Sequence, residues 1–208
     1  MMVLTGRQQQ ILDASMQVIE QDGLRGFTMR NIAQRIGFTD AALYRHFPDK
    51  GAILQALASH FQMITLENLE KIRLTPGVNA LQRLQLFLKG RAMEFEGNRR
   101  MTSMLFSEEL FRSDGEALNL NRITRVARAY QLEQMVLEGQ LEGSIRADLP
   151  AQHLVLLLMG SMRLMVSTWK TLLDPTSEGD QPSLVTTVEA FWKTFEILTR
   201  DTSKKTAP

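Results

Sequence analysis

Between positions 44 and 50 the chain sets a phenol, a guanidinium, an imidazole and an ammonium, Tyr44, Arg45, His46 and Lys50, around Pro48. Side chains of these types can move protons, ligate a metal or hold an anion. Metal ligation by His46 needs a second donor one helical turn away, and the only other histidines, His60 and His153, are distant in sequence. Covalent catalysis lacks its parts. There is no cysteine, no glycine-rich phosphate loop and no nucleophile motif, and Glu108-Glu109 reads as a solvated helix edge. The expectation is therefore no catalytic residue, no metal and no cofactor. Anion binding is what the four groups can do together.

Taken singly, each residue admits two readings. Lys50 falls in the first turn of a helix, where a cation opposes the macrodipole at a cost of roughly 0.3 to 1 kcal/mol. A phosphate would offset that, since free N–H groups, dipole and ammonium all favour an anion there; a solvated surface lysine is the alternative. Arg45 and His46 end a short helix, where positive charge is favoured in any case. His46 reads as a phosphate contact or as a buried, hydrogen-bonded imidazole. The Tyr44 ring pads the core, or its hydroxyl reaches a phosphate oxygen. The hydroxyls of Thr28 and Thr39 complete the group. Net charge is +1, so a nucleic-acid partner has to be read locally, and between Gly23 and Lys50 five Arg or Lys face two Asp.

The elements that carry these residues are helical. Ile11, Ala14, Ser15, Val18 and Ile19 follow helical spacing over about residues 6 to 21, and Asp22-Gly23 supplies a stop. Thr28 can cap a second helix with Met29, Ile32, Ala33 and Ile36 on one face, ended by Gly37. Thr39 can cap a third, with Ala42, Leu43 and Phe47 inward and Pro48 barring its continuation. Asp49 can cap a long fourth helix over 50 to 74, about 37 Å at 1.5 Å per residue. Further helices are predicted at 78–96, 101–112, 116–142, 151–173 and 183–200, with "DTSKKTAP" as a loose tail. No alternating run competes for a strand, so the fold class is all-α. With 44 % apolar and 23 % charged residues in 208, the chain has the makings of an ordinary packed core.

Helix, glycine turn, helix at this length fits the helix-turn-helix unit, whose second helix enters the DNA major groove. The stretch "GFTMRNIAQRIGFTDAALYRHFPDKGAIL", residues 26 to 54, resembles the DNA-binding motif of TetR-type transcriptional regulators: the Thr, the Ile-Ala pair, the turn Gly, "LYRHF" and the Lys all stand at the spacing of that family. The resemblance covers about 60 N-terminal residues. It implies a three-helix DNA-binding domain over 4–64, with its motif at 28–47, and a larger helical ligand-binding and dimerisation domain over 78–200. It also implies that Thr28, Tyr44, His46 and Lys50 contact phosphates, that Thr39, Asp40, Ala41 and Ala42 lie nearest base edges, and that Arg45 belongs to the same surface. Gly51 departs from the acidic residue common after the lysine in that family.

In TetR-like proteins the last two long helices form the dimer interface, which makes Leu158, Phe191, Trp192 and Phe195 its candidates by resemblance. Twelve methionines either fill a helical core or line an adaptable apolar pocket. If a pocket exists, Phe95, Met104, Phe106, Met159, Met162 and Trp169 are its candidate lining and the effector is apolar or aromatic. The expected partners are thus an operator in double-stranded DNA, a second copy of the chain and a small effector. A repressor is the leading expectation; the alternative is a DNA-bound adaptor of the nucleoid-occlusion type whose helical body engages a protein. Absence of cysteine, of a signal-peptide pattern in "MMVLTGRQQQ" and of a run of roughly 20 apolar residues leads to the expectation of a cytoplasmic protein with no membrane partner.

Overall fold

The computed structural model describes residues 4–99, 102, 115–172 and 183–200. Among them are eight α-helices: α1 (Gly6–Gly26), α2 (Met29–Arg35), α3 (Asp40–Tyr44), α4 (Lys50–Arg73), α5 (Ala80–Gly97), α6 (Gly115–Glu142), α7 (Ala151–Leu172) and α8 (Leu184–Thr199). The fold is all-α, relieved among the described residues only by an isolated antiparallel bridge between Ile145 and Arg200. The helix expected at 101–112 and the tail lie outside the described residues except at Thr102. The described parts of residues 1–64 and 98–124 make one compact unit, and those of 65–97 and 125–208 make another.

In the first unit the apolar periodicity becomes a core. Ile11, Leu12, Val18 and Ile19 of α1, Ile32 and Ala33 of α2, Leu43, Phe47, and Ile53, Leu54 and Leu57 of α4 are all buried in one cluster. The stop expected at Gly23 is a kink instead: its backbone turns to φ 68° and ψ −167°, and helical structure resumes to Gly26. Ala42, expected inward, is half-buried, because α3 is short enough that Leu43 alone of its residues reaches the core.

The turn between α2 and α3 is set by two hydrogen bonds. The Phe38 N–H donates to the Ala33 carbonyl at 2.8 Å and the Gly37 N–H to the Gln34 carbonyl at 3.3 Å, the pairing of a Schellman motif. Gly37 supplies the φ of 68° that the motif needs, a backbone region where a side chain is strained. The chain therefore reverses within two residues and α3 starts at once.

The second unit is organised around the α5 and α8 helices. The Glu96 carboxylate accepts from the Val185 N–H at 3.0 Å and from the Ser183 hydroxyl at 3.1 Å, while Ser183 itself caps α8 through the Thr186 N–H. Lys89 pairs with Glu189 at 2.7 Å along the same seam. Leu184, Val188, Trp192 and Phe195 fill the inner face of α8, with the Trp192 and Phe195 rings 5.5 Å apart. At the end of α4, Arg73 forks onto Glu70 through two 2.9 Å bonds and reaches Glu138 of α6 at 3.5 Å. That guanidinium holds the Glu70 carboxyl below its ordinary range.

Leu43 carries the whole of α3's contribution to the core. Leu43→Ala is expected to cost about 2 to 5 kcal/mol, read as a fall in the urea midpoint at unchanged slope; a loss under about 0.5 kcal/mol, the scale of an ordinary surface substitution, would show that α3 is not anchored by this side chain.

Candidate nucleic-acid interface

Local capping aims the polar residues. The Thr28 hydroxyl accepts from the Asn31 N–H at 3.2 Å at the start of α2, and the Thr39 hydroxyl accepts from the Ala42 N–H at 3.2 Å at the start of α3. Asp49 Oδ1 accepts from the Ala52 N–H at 2.8 Å, so α4 begins as the sequence suggests and Lys50 occupies its first turn. Each hydroxyl keeps lone-pair and donor capacity beyond its cap.

Thr28, Thr39, Asp40, Ala41, Tyr44, Arg45 and Lys50 are exposed, and Ala42 and His46 are half-buried. Tyr44 is 51 % exposed, which removes the reading in which its ring pads the core. Two ring contacts tie the group together. The Lys50 ammonium stands 6.0 Å from the centre of the Phe27 ring, the residue before Thr28. The His46 ring lies 6.3 Å from that of Phe38, the residue before Thr39. The rings that precede the two caps thus each stand against one of these side chains, Phe27 against Lys50 and Phe38 against His46.

Charge is distributed unevenly over this region. Arg35 is engaged within the protein, 3.6 Å from the Asp22 carboxylate and 2.6 Å from the Gln21 amide oxygen. Asp49 is committed to its cap. Arg45 and Lys50 form no ion pair with any described residue, and the exposed Asp40 carboxylate stands in the first turn of α3 on the same surface. One contributor was not legible in local spacing. Arg7, in the first turn of α1, lays its guanidinium 5.6 Å from the Phe38 ring, and the neighbouring Gln8 amide donates to the His46 carbonyl at 3.5 Å. These residues lie more than thirty positions before the partners they reach, and the only signal available in sequence was a basic residue at a helix start.

The predicted pocket and dimer residues occupy other places. Phe95, Met162 and Trp169 are buried and Met159 is half-buried, while Met104 and Phe106 fall outside the described residues. A cleft of about 280 Å³ is lined by Thr65, Asn68, Lys71, Ile72, Phe87, Gly90, Arg91 and Glu94, between α4 and α5 and apart from that set. Leu158, Trp192 and Phe195 are core residues of the chain itself and Phe191 is half-buried. They support the outer faces of α7 and α8; those faces present Leu156, Leu157, Leu164, Ile197 and Leu198.

Residues 11–57, which contain α2, α3 and both caps, match the family model described as bacterial regulatory proteins, tetR family. Through this domain the chain is similar to regulators of the tetR family. It is a DNA-binding regulator and not an enzyme. Curated relatives include the nucleoid occlusion factor SlmA of Vibrio campbellii, 24 % identical over 163 residues that span 70 % of this chain and 83 % of the relative. The SlmA of a Marinomonas species is 27 % identical over 164 residues, 76 % and 81 % of the two chains. Among solved structures, the regulator FadR from Bacillus subtilis in complex with stearoyl-CoA superposes with a TM-score of 0.74 at 21 % identity, covering 90 % of this chain and 96 % of that one. A TetR/AcrR-family regulator from Thermobifida fusca gives 0.74 at 22 % identity, covering 92 % and 97 %. These likenesses extend the shared fold over the C-terminal body. No described helix of the chain is long and apolar enough to cross a membrane.

If Thr39 acts as the cap of α3, Thr39→Ala should destabilise the chain by about 0.5 to 2 kcal/mol and Thr39→Ser should restore most of the loss, both read from thermal melts; an alanine variant that melts like the parent would remove the cap from the account.

Proposed function

We propose that the chain is a homodimeric repressor whose DNA-binding domain, residues 4–64, engages a pseudo-palindromic operator and whose helical body, residues 78–200, dimerises and receives a small effector. The observation that carries the reading is the set Tyr44, Arg45 and Lys50, exposed and without an ion pair to any described residue, with the half-buried His46 among them, beside two threonine caps on a helix-turn-helix pair. In it, Thr28, Tyr44, His46 and Lys50 grip phosphates and fix the register of α3, while Thr39, Asp40, Ala41 and Ala42 face base edges. Arg7 adds a further cation at the same edge. Backbone contacts of this kind release counterions, so affinity should fall steeply with salt.

Dimerisation is supported by the outer faces of α7 and α8. Leu156 is 70 %, Leu164 68 % and Ile197 77 % exposed, and Leu157 and Leu198 are more than half exposed. Large apolar side chains left this exposed on two neighbouring helices of a folded chain suit a site for a partner. A second copy is the occupant proposed, since a two-fold axis would set two α3 helices to half-sites one turn of DNA apart, about 34 to 36 Å, or a multiple of that. A second reading, the DNA-bound adaptor whose body engages a protein, is favoured by the curated relatives that are nucleoid occlusion factors. It shares the DNA-binding half and differs in what the body binds.

Selection of bound genomic fragments would supply the operator. On that DNA, Lys50→Ala should weaken binding across sequences and reduce the salt slope by about one, measured by fluorescence anisotropy; an unchanged slope would count against a phosphate contact at Lys50. Leu164→Glu with Ile197→Glu should convert a species of twice the 23.6 kDa chain mass into one of the single mass in sedimentation, with operator affinity falling in step. A double variant that stays dimeric would move the interface elsewhere. Recovery of a protein partner together with operator affinity that no effector alters would favour the adaptor.

A further inference from the structure

The cleft between α4 and α5 holds a guanidinium that the protein does not fully use. The Arg91 side chain is only 12 % exposed. Its Nη1 donates to the Thr65 hydroxyl at 3.0 Å and to Glu94 at 2.5 Å, and its plane sits 4.2 Å from the centre of the Phe95 ring. Nε and Nη2 find no acceptor among the described residues. Burial is the strongest influence on this group and pulls it below its ordinary range, with Glu94 acting in the opposite direction. One half-exposed carboxylate three residues along the same helix is thus a partial answer to the loss of water around Arg91.

The rest of the lining has the same sign. Lys71 forms no ion pair with a described residue, and the Asn68 amide makes no hydrogen bond to one. Two cations against one carboxylate leave the cleft with a formal charge of +1. Ile72 and Phe87 give it apolar wall, and at Gly90 an added Cβ would meet nothing within 4 Å, so the cleft is open beside Arg91.

We propose that this cleft binds the anionic head of a small amphiphile, a carboxylate or a phosphate ester, with Arg91 forking onto the anion, Lys71 and Asn68 completing its shell, and Ile72 and Phe87 taking the first atoms of an apolar tail. A planar guanidinium with two free donor positions suits a two-oxygen anion, and an apolar cleft strengthens the bond by excluding water. Glu94 is then an internal competitor: the arriving anion displaces it from Arg91. The proposal rests on the reading of the body as the effector-binding half, and changes the effector from a wholly apolar molecule to one with a charged end.

Titration calorimetry on the full-length chain with octanoate, octyl phosphate and octanol tests it. At least one of the two anions should bind on the order of tenfold or more tighter than octanol, and the pair together distinguish carboxylate from phosphate. Arg91→Gln and Lys71→Gln should shrink that margin. Glu94→Gln should widen it by about threefold, a direction that loss of a merely structural ion pair would not produce, and this variant keeps the test decisive should Arg91→Gln fail to fold. No binding of either anion, equal binding of all three probes, or a Glu94→Gln variant that leaves the anions no tighter would overturn the site. Operator release is measured separately. Anion binding that leaves operator affinity untouched would sink the effector reading and keep the site, whereas release by octanol alone would keep an effector and sink the anion.

Discussion

The geometry of the DNA-binding half depends on a left-handed backbone turn at Gly37. With φ at 68° there, Phe38 can return its N–H to Ala33 while Gly37 closes onto Gln34, and the last carbonyls of α2 are satisfied without extending the helix. The reversal puts Thr39 in extended conformation, where its hydroxyl caps α3, and sets Leu43 in the core. Tyr44 and Arg45 then face outward because a five-residue helix has only one inward position to give. The exposed polar side chains of the motif stand on the outer side of that arrangement.

The same economy explains how charge is placed. Two nearby carboxylates have other work: Asp49 caps α4 and Asp22 answers Arg35, which leaves Asp40 as the acidic residue of the α3 face. Rings do the positioning instead. Phe27 and Phe38 lie beside the two caps and draw Lys50, Arg7 and the His46 imidazole to them without consuming a charge. Cations held by quadrupoles and backbone remain available to a phosphate in a way that cations held by carboxylates would not. The contrast within the chain is Arg73, clamped by Glu70 and Glu138 and thereby closed to outside anions.

Most of the helices were legible in the sequence, for a local reason. Caps, glycine stops and 3.6-residue apolar spacing act within a few residues, so α2, the starts of α3 and α4, and α5, α7 and α8 stand where those signals put them to within a residue or two, while α3 ends at Tyr44, short of the Phe47 expected in it. The kink at Gly23 shows the limit of the rule. An Asp-Gly pair permits a stop, yet here the backbone turns and resumes because Phe27 beyond it is drawn into the core.

The sequence by itself determined the all-α class and the helix-turn-helix with its two threonine caps, since each of these is a matter of neighbours along the chain. Only tertiary structure decided which faces are spent and which are free. Leu158, Trp192 and Phe195 look the same in a sequence as Leu156, Leu164 and Ile197, but packing of α5, α7 and α8 buries the first group and leaves the second in solvent. Arg7 came to Phe38, and Arg91 to Thr65 and the cleft, through contacts between helices thirty or so positions apart. Side-chain type sets what a residue can do; burial and the partners brought by folding set whether it is free to do it.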